Sequence, residues 1–281
     1  MPSFVIPAHE EAEVIARCLD SILSHDCPDD LEVAVVCNGC TDDTARIARN
    51  HDKRVRVIET DVASKSRSLN LGDEAVTSFP RMYLDADVEL GPNALSDTFN
   101  ALGEGTLAVS PSAHFDLSRS SLFVRMFYAA WTKMPFYNDS MIGGSGAYAL
   151  SQEGRDRFEC FPDLISDDGF VRLHYKAKER SVVRNASSTV SCPRRMADLL
   201  KMMTRVTAGR RQLHREYPQL LATEETTGAG KVAAVIRSPL LWPCFAIYAF
   251  TRLVASHRER RQRNQESTPS WLRDDSSRVQ A

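Results

Sequence analysis

An apolar segment runs into two closely spaced carboxylates near the end of the first third of the chain, at Arg81-Met82-Tyr83-Leu84-Asp85-Ala86-Asp87-Val88. Residues 82–84 are typical of a buried strand, and ligands of open α/β sheets bind just beyond the carboxyl ends of strands. In extended geometry, residues two apart point to the same side, so Asp85 and Asp87 can face one ligand together. Two such carboxylates repel each other unless a cation or protons intervene. The stretch therefore predicts either a metal site or an acidic turn that ends a strand.

Strand and helix patterns alternate on both sides of this stretch. Short apolar runs predict strands at 3–6, 31–36, 55–58, 81–84, 106–110 and 147–150, with short edge strands at 182–183 and 188–190. Amphipathic or capped segments predict helices at 11–23, 42–50, 64–75, 93–102, 118–133, 167–176 and 194–216. Alternation of this kind indicates βαβ units, so we expect an α/β fold with a Rossmann-like, mostly parallel sheet flanked by helices.

The composition is that of an ordinary globular protein, with 281 residues of which 43% are hydrophobic and 26% are charged. The net charge of -2 gives no overall attraction to nucleic acid, and we expect no such partner. Met1-Pro2-Ser3 lacks the basic region of a secretory leader, which favours a cytoplasmic body. The seven cysteines, including the pair in Cys37-Asn38-Gly39-Cys40, lack zinc-site spacing and are expected to be reduced.

Four motifs at predicted strand or loop ends resemble, in order, the signatures of family 2 glycosyltransferases. They are Val5-Ile6-Pro7-Ala8-His9-Glu10-Glu11, Val35-Val36-Cys37-Asn38-Gly39-Cys40-Thr41-Asp42-Asp43-Thr44, Lys65-Ser66-Arg67-Ser68-Leu69-Asn70-Leu71-Gly72 and Asp85-Ala86-Asp87. Each motif alone is loose, but four in order over roughly a hundred residues are specific. The resemblance implies a GT-A fold, a nucleotide diphosphate sugar as donor, and Mg²⁺ or Mn²⁺ as cofactor.

The resemblance also assigns the donor pocket. In the family, residues that match Pro7, Ala8 and Glu10 line the base and ribose pocket. Asn38 stands where an acidic residue commonly contacts the base. Because an amide both donates and accepts hydrogen bonds, whereas a carboxylate only accepts them, the identity of the base stays open.

Cationic residues on two predicted helices are candidates for binding the nucleotide phosphates. Lys65 and Arg67 lie at the start of a helix, where the helix dipole does not favour cations, so a phosphate or nucleotide partner is expected there. The family often carries an Arg-bearing segment that closes over the diphosphate, and Arg205, Arg210 and Arg211 are candidates for it. The alternative for both groups is a solvated or membrane-facing basic surface.

Carboxylates are expected to supply both the metal site and the catalytic base. We expect Asp87 to bind the metal directly and Asp85 to hold the ribose or a metal-bound water, since hard cations prefer oxygen ligands. Asp167 and Asp168 resemble the family's acidic pair at a helix start, and Asp168 is the expected base of an inverting transfer. The alternative is an N-cap pair. The glycine-rich segment 143–146 resembles the acceptor side of the site or, alternatively, a tight turn.

The predicted organisation is a GT-A catalytic domain at 1–193 followed by a C-terminal helical appendage. Its nucleotide-binding half is 1–90 and its acceptor half 91–193, followed by a basic helical segment and linker at 194–230. Apolar and then basic helices are predicted at 231–263, and a disordered tail at 264–281. The most apolar run, 238–251, is shorter than a membrane span of about 20 residues. It predicts a peripheral or monotopic anchor at the cytoplasmic face of the plasma membrane, with a core-packing helix of a cytoplasmic enzyme as the alternative.

The resemblance, together with the C-terminus, implies an inverting transferase that acts on a glycan or lipid-linked acceptor hydroxyl in cell-envelope or exopolysaccharide assembly. The alternatives are a catalytically silent, nucleotide-binding relative and a nucleotidyltransferase. A nucleotidyltransferase would show a glycine-rich, arginine-bearing loop after the first strand. The sequence at 7–10, Pro-Ala-His-Glu, is not such a loop. Intact Asp85, Asp87 and Asp168 argue against a silent relative, since a dead site has no need of three costly carboxylates.

Overall fold

The computed structural model describes residues 1–23, 27, 29–134, 142–223 and 239–264. The strands within them are β1 (Ser3–Ala8), β2 (Glu32–Asn38), β3 (Val55–Thr60), β4 (Arg81–Leu84), β5 (Val88–Leu90), β6 (Ala108–Asp116), β7 (Ala147–Leu150) and β8 (Arg180–Ser191). The α-helices are α1 (Ile15–Ile22), α2 (Thr44–His51), α3 (Lys65–Ala75), α4 (Ala94–Asn100), α5 (Leu122–Trp131), α6 (Gln152–Arg155), α7 (Asp167–Leu173), α8 (Met196–Glu216) and α9 (Trp242–Asn264). Short 3-10 helices occupy Ala177–Glu179, Pro218–Thr223 and Pro239–Leu241.

The strands form a single mixed sheet in the order β3-β2-β1-β4-β7-β6-β8-β5. The first four strands in this order are parallel to one another, as the alternating sequence pattern predicts. β7 then runs antiparallel to both β4 and β6, while β8 is parallel to β6 and antiparallel to β5. The carboxyl ends of β1, β2 and β4 therefore meet at one edge, where the predicted donor motifs lie.

Several local predictions differ from the structure, and three of the differences affect the sheet or the site. The short edge strands expected at 182–183 and 188–190 are parts of the single twelve-residue strand β8, which lies between β6 and β5. A register shift between Pro111 and Ser112 lets β6 follow β8 along this length. The helix expected at 167–176 ends at Leu173. Asp85-Ala86-Asp87 is a turn closed by a hydrogen bond from Val88 N to Asp85 O (3.1 Å), rather than an extended segment.

Helices on the two faces of the sheet bury the predicted apolar residues. Ile15 and Leu19 of α1 pack with Phe4 of β1 on one face. α3 covers the other face and approaches β1 closely, because Gly72 has no side chain: a Cβ there would lie 2.3 Å from Val5 Cγ1. This close approach sets the position of the first residue of α3, which is Lys65.

The C-terminal helices pack against the catalytic domain. α8 contributes Leu199 and Met203 to a cluster with Val124 of α5 and Ala255 of α9. α8 also approaches the start of α7 closely, since a Cβ at Gly209 would lie 2.9 Å from Ile165 Cγ2. The expected appendage is thus docked onto the domain, while residues 231–238 and the tail from 265 lie outside the described residues.

Candidate active site

A half-buried lysine joins two carboxylates at the carboxyl edge of the sheet. Lys65 Nζ lies 2.7 Å from Asp85 Oδ1, at the end of β4, and 3.2 Å from Asp167 Oδ2, at the start of α7. Burial opposes the charge of the ammonium, but Asp167 and Asp85 outweigh it and raise the pKa of Lys65. Burial raises the pKa of Asp167, against the opposing charge of Lys65. Lys65 therefore links the predicted nucleotide-binding half of the domain to the predicted acceptor half.

The glycine-rich segment forms a second link between the same two halves. Gly146 O accepts a 2.7 Å hydrogen bond from Asp85 N, and Gly144 N donates a 3.2 Å hydrogen bond to Asp168 Oδ2. Gly143, Gly144 and Gly146 have φ values of +124°, +76° and +63°, a region that glycine adopts without strain. A Cβ at Gly146 would lie 2.4 Å from Val88 Cγ2 and 3.4 Å from Asp85 Oδ2. The segment therefore needs glycine both for its backbone and for close contact with the acidic turn.

The two neighbouring carboxylates at the start of α7 have different surroundings. Asp167 is only 5% exposed and its carboxylate is bound to Lys65. Asp168 is half-buried. Its Oδ1 atom accepts hydrogen bonds from Ser166 Oγ at 3.2 Å and from Gly169 N at 2.6 Å. Its other oxygen, Oδ2, faces the glycine-rich segment. Asp168 is therefore the more accessible carboxylate of the pair. The N-cap residue of α7 is Ser166, which makes no side-chain cap hydrogen bond, and Asp167 and Asp168 lie in the first turn of the helix.

The acidic turn fits a divalent metal that shares its coordination with a diphosphate. Among the described residues there is no group of three or more His, Cys, Asp or Glu side chains that could enclose a metal ion. Mg²⁺ commonly binds proteins through only one or two carboxylates and takes its remaining ligands from phosphates and water. Asp85 and Asp87 on one turn supply such a set, although Lys65 already occupies Asp85 Oδ1. The roles predicted for both carboxylates stay predictions.

The donor-side residues meet where β1 and β2 end. Ala8 and Asn38 are buried, and Asn38 Nδ2 donates a 2.7 Å hydrogen bond to Ala8 O. The side-chain amide of Asn38 therefore joins β2 to β1 through its Nδ2 atom. Its Oδ1 atom is buried without a hydrogen-bond partner among the described residues. Glu10 has a φ of +56°, and its carboxylate accepts a 3.0 Å hydrogen bond from Thr41 Oγ1. Pro7 is half-buried beside them.

The two cysteines of the C-x-x-C pair are free thiols at the end of β2. A hydrogen bond with Cys37 lowers the pKa of Cys40 to about 6, whereas the same bond raises the pKa of Cys37. Glu10 N also donates to Cys40 Sγ at 3.4 Å. The pair therefore packs against the donor-side loop.

The other predicted cations lie apart from this cluster. Arg67 is exposed on the first turn of α3, where its backbone N donates to the N-cap Ser64 Oγ at 3.3 Å. Arg210 is exposed on α8 and its charge acts on Tyr248 of α9. Arg205 is half-buried on the same helix, with no contact described to Asp85 or Lys65. Diphosphate binding by these three arginines stays a prediction.

One site residue has no signal in the sequence. Tyr148 on β7 is buried, stacks on Tyr83 with ring centroids 5.0 Å apart, and its hydroxyl has no hydrogen-bond partner among the described residues. Burial raises the pKa of Tyr148, and the charges of Asp167 and Asp168 add to the effect. A tyrosine in an apolar strand is typical of a core residue, so only the pairing of β7 with β4 reveals this position.

Comparison with known proteins identifies the class. Residues 3–142 match the family model described as Glycosyl transferase family 2. The chain belongs to the family 2 glycosyltransferases and is an enzyme of the GT-A fold. A search of curated proteins finds no match.

Solved structures of glycosyltransferases share the fold at low sequence identity. A mannosyltransferase from Pyrobaculum calidifontis, PcManGT, in complex with GDP-Man and Mn²⁺, has a TM-score of 0.61 and 19% identity, over 95% of this chain and 76% of that chain. TarS from S. aureus has a TM-score of 0.52 and 14% identity, over 96% and 93%. Glucosyl-3-phosphoglycerate synthase from Mycobacterium tuberculosis, in complex with Mn²⁺ and UDP, has a TM-score of 0.51 and 18% identity, over 80% and 81%. These likenesses show the fold.

Proposed function

We propose that this enzyme transfers a sugar, with inversion of its anomeric configuration, from a nucleotide diphosphate sugar to an acceptor hydroxyl. The observation that carries the proposal is the pair of links between the acidic turn and the acidic helix start: the Lys65 bridge and the segment 143–146. Both links hold Asp168 at a set position relative to Asp85. An inverting transfer needs a general base opposite the leaving group, and we assign that role to Asp168.

Different residues take the roles of base, nucleotide pocket and metal ligands in the proposed reaction. Asp168 accepts the proton of the acceptor hydroxyl, helped by its exposure and by donors that keep its Oδ1 oriented. Pro7, Ala8, Glu10 and Asn38 line the base and ribose pocket, where β1 and β2 end. Asp87 and Asp85 would hold Mg²⁺ or Mn²⁺. The bound ion would neutralise the negative charge that develops on the diphosphate leaving group.

The neighbours support a nucleotide-sugar donor and a divalent metal. PcManGT was solved with GDP-Man and Mn²⁺, and TarS with UDP-GlcNAc. The sugar and the base bound by these neighbours cannot be assigned to this chain at such low sequence identity, because specificity rests on a few pocket residues. The proposed donor is therefore the class of nucleotide diphosphate sugars.

The proposed acceptor is a glycan or a lipid-linked hydroxyl at the cytoplasmic face of the plasma membrane, in cell-envelope or exopolysaccharide assembly. Support comes from α9 with its preceding turn, Pro239–Asn264, which is long and apolar enough to cross a membrane by length and composition alone. Basic residues follow its apolar half, as expected of a helix beside anionic headgroups.

The test screens nucleotide diphosphate sugars with Mn²⁺ or Mg²⁺ by thermal shift and then by hydrolysis. A donor at 100 times its dissociation constant stabilises the folded state by about 2.7 kcal/mol, which a melting curve resolves. We expect one donor class to stabilise the enzyme and to be hydrolysed only with metal. NMR of the transfer product should show an inverted anomeric centre. Retention of configuration would contradict the inverting mechanism, and binding without any turnover would favour the silent relative.

A further inference from the structure

The first half of α9 is apolar on its outward face as well as on the face packed against the domain. The face turned towards the domain carries Phe245, Thr251, Ala255 and Glu259 as its buried residues. The face turned outwards carries Trp242, Ala246, Phe250 and Leu253 at helical spacing, all of them exposed. A surface helix usually buries its apolar stripe, so the outward stripe of α9 indicates an apolar partner.

Charge continues the same pattern along the helix. Glu259, the sole acidic residue of α9, is buried and forms an ion pair with Arg211 of α8. Beyond the apolar turns the exposed residues include Arg258, Arg260, Arg261 and Arg263 and no acidic residue. Apolar residues beside an arginine cluster match the chemistry of an anionic bilayer, with acyl chains next to acidic headgroups.

A second exposed apolar pair lies on α5, the helix that packs against α9. Leu122 and Phe123, at the start of α5, are each more than half exposed. α5 runs antiparallel to α9, since Phe127 contacts Tyr248 at 5.4 Å between ring centroids, while Met134, later in α5's direction, packs with Phe245. Val124 shares a cluster with Ala255, so the start of α5, with Leu122 and Phe123, lies towards the C-terminal half of α9.

Packing also decides how α9 meets a bilayer. Its inner face contacts α5 and α8 from Phe245 to Glu259. A helix crossing the membrane would have to leave both partners, expose Phe127 and separate Glu259 from Arg211. An in-plane helix keeps all of these contacts.

We propose that α9 lies in the plane of an anionic bilayer as an interfacial helix, and that Leu122 and Phe123 insert beside it as a second membrane contact. This inference deepens the membrane location proposed above and rests on it. It fixes which side of the enzyme faces the lipid, with the active site held above the surface by the rigid packing of α5, α8 and α9.

Vesicle flotation of the full-length chain tests the inference. We expect wild type to float with vesicles of phosphatidylcholine and phosphatidylglycerol, and not with phosphatidylcholine alone. The double variants Phe250→Ser/Leu253→Ser and Leu122→Ser/Phe123→Ser should each weaken partitioning by about tenfold or more. Val62→Ser is the matched control: Val62 is nearly half exposed, follows β3 at the far edge of the sheet, and should leave partitioning unchanged.

Three further outcomes would overturn the inference. Resistance to alkaline carbonate extraction would show a spanning helix instead of an interfacial one. Loss of binding in the α9 double variant alone would remove α5 from the membrane contact. A dimer in analytical ultracentrifugation that the same double variants dissociate, with no vesicle binding, would assign the surface to a second copy of the chain.

Donor hydrolysis separates this inference from the proposed function. Both double variants lie away from Asp85, Lys65 and Asp168, so we expect them to keep wild-type, metal-dependent hydrolysis of the soluble donor while they lose vesicle binding. Vesicle binding by a wild-type enzyme that hydrolyses no nucleotide sugar would refute the proposed function and leave the membrane surface standing.

Discussion

Asp87 and Asp85 lie on one turn, but only Asp85 is described as bound to Lys65, which makes Asp87 the cleaner position to change. Asp87→Asn keeps the shape of the side chain and removes its anionic charge, so the folded state should persist. We expect metal-dependent transfer to fall to background, because a neutral amide is a poor ligand for a hard cation. Rates measured across Mn²⁺ and Mg²⁺ concentrations, with thermal melts, check this. Glu89→Gln, an acid on β5 that pairs with Arg17, is the control and should stay active. A wild-type rate for Asp87→Asn would remove it from the metal site.

The substitutions Asp168→Asn and Asp167→Asn should have different effects on turnover and on stability. Asp168→Asn removes the general base, and we expect turnover to fall by a factor on the order of a hundred or more while donor binding persists. Asp167→Asn leaves the Lys65 ammonium with one carboxylate partner, so we expect a smaller loss of turnover and a loss of stability on the order of 1–3 kcal/mol. Single-turnover rates, donor titrations and urea unfolding separate the two effects. The reverse ranking of turnover would assign the base to Asp167.

The glycine-rich segment is the element on which both halves of the site depend. Gly146→Ala would place a Cβ 2.4 Å from Val88 Cγ2 at a φ of +63°, so the acidic turn must shift. We expect the variant to fold with a large loss of turnover, since a displacement of about 1 Å at a catalytic group can cost about a hundredfold. Gly103→Ala is the control, because a Cβ there meets no atom within 4 Å. Wild-type turnover in Gly146→Ala, measured with saturating donor, would show that the segment does not position Asp85.

α9 packs against the catalytic domain and should contribute to the stability of the whole molecule. Deletion of residues from 231 onward would uncover Phe127, Met203 and their neighbours, which pack against α9, and would leave Arg211 without Glu259. We therefore expect the melting temperature to fall by on the order of 5–10 °C and the protein to aggregate. Differential scanning calorimetry measures this, with a deletion of residues 265–281 as the control expected to melt like the full chain. Equal melting of both deletions would show that α9 adds nothing to the stability of the domain.

Local patterns in the sequence determine much of this protein. Apolar runs that alternate with amphipathic segments specify β1 to β4 and α1 to α3, because strand and helix periodicities are properties of neighbouring residues. The polar motifs at the strand ends identify the family for the same reason, since a parallel sheet brings consecutive strand ends to one edge. The sequence alone therefore identifies the carboxylates Asp85, Asp87 and Asp168 as candidate site residues.

Tertiary structure alone decides how those residues are joined and which surfaces they face. Lys65 is 102 positions before Asp167, and no local pattern states that one ammonium bridges Asp167 and Asp85. β8 is one long strand because its partners β5 and β6 come from distant parts of the chain, and residues with the pattern of two edge strands gain neighbours on both sides. α9 has an apolar sequence that equally suits a core helix, a span or an interfacial helix. Its pairing with α5 and α8 settles which side is buried, because burial is a property of the partner surface and not of the helix itself.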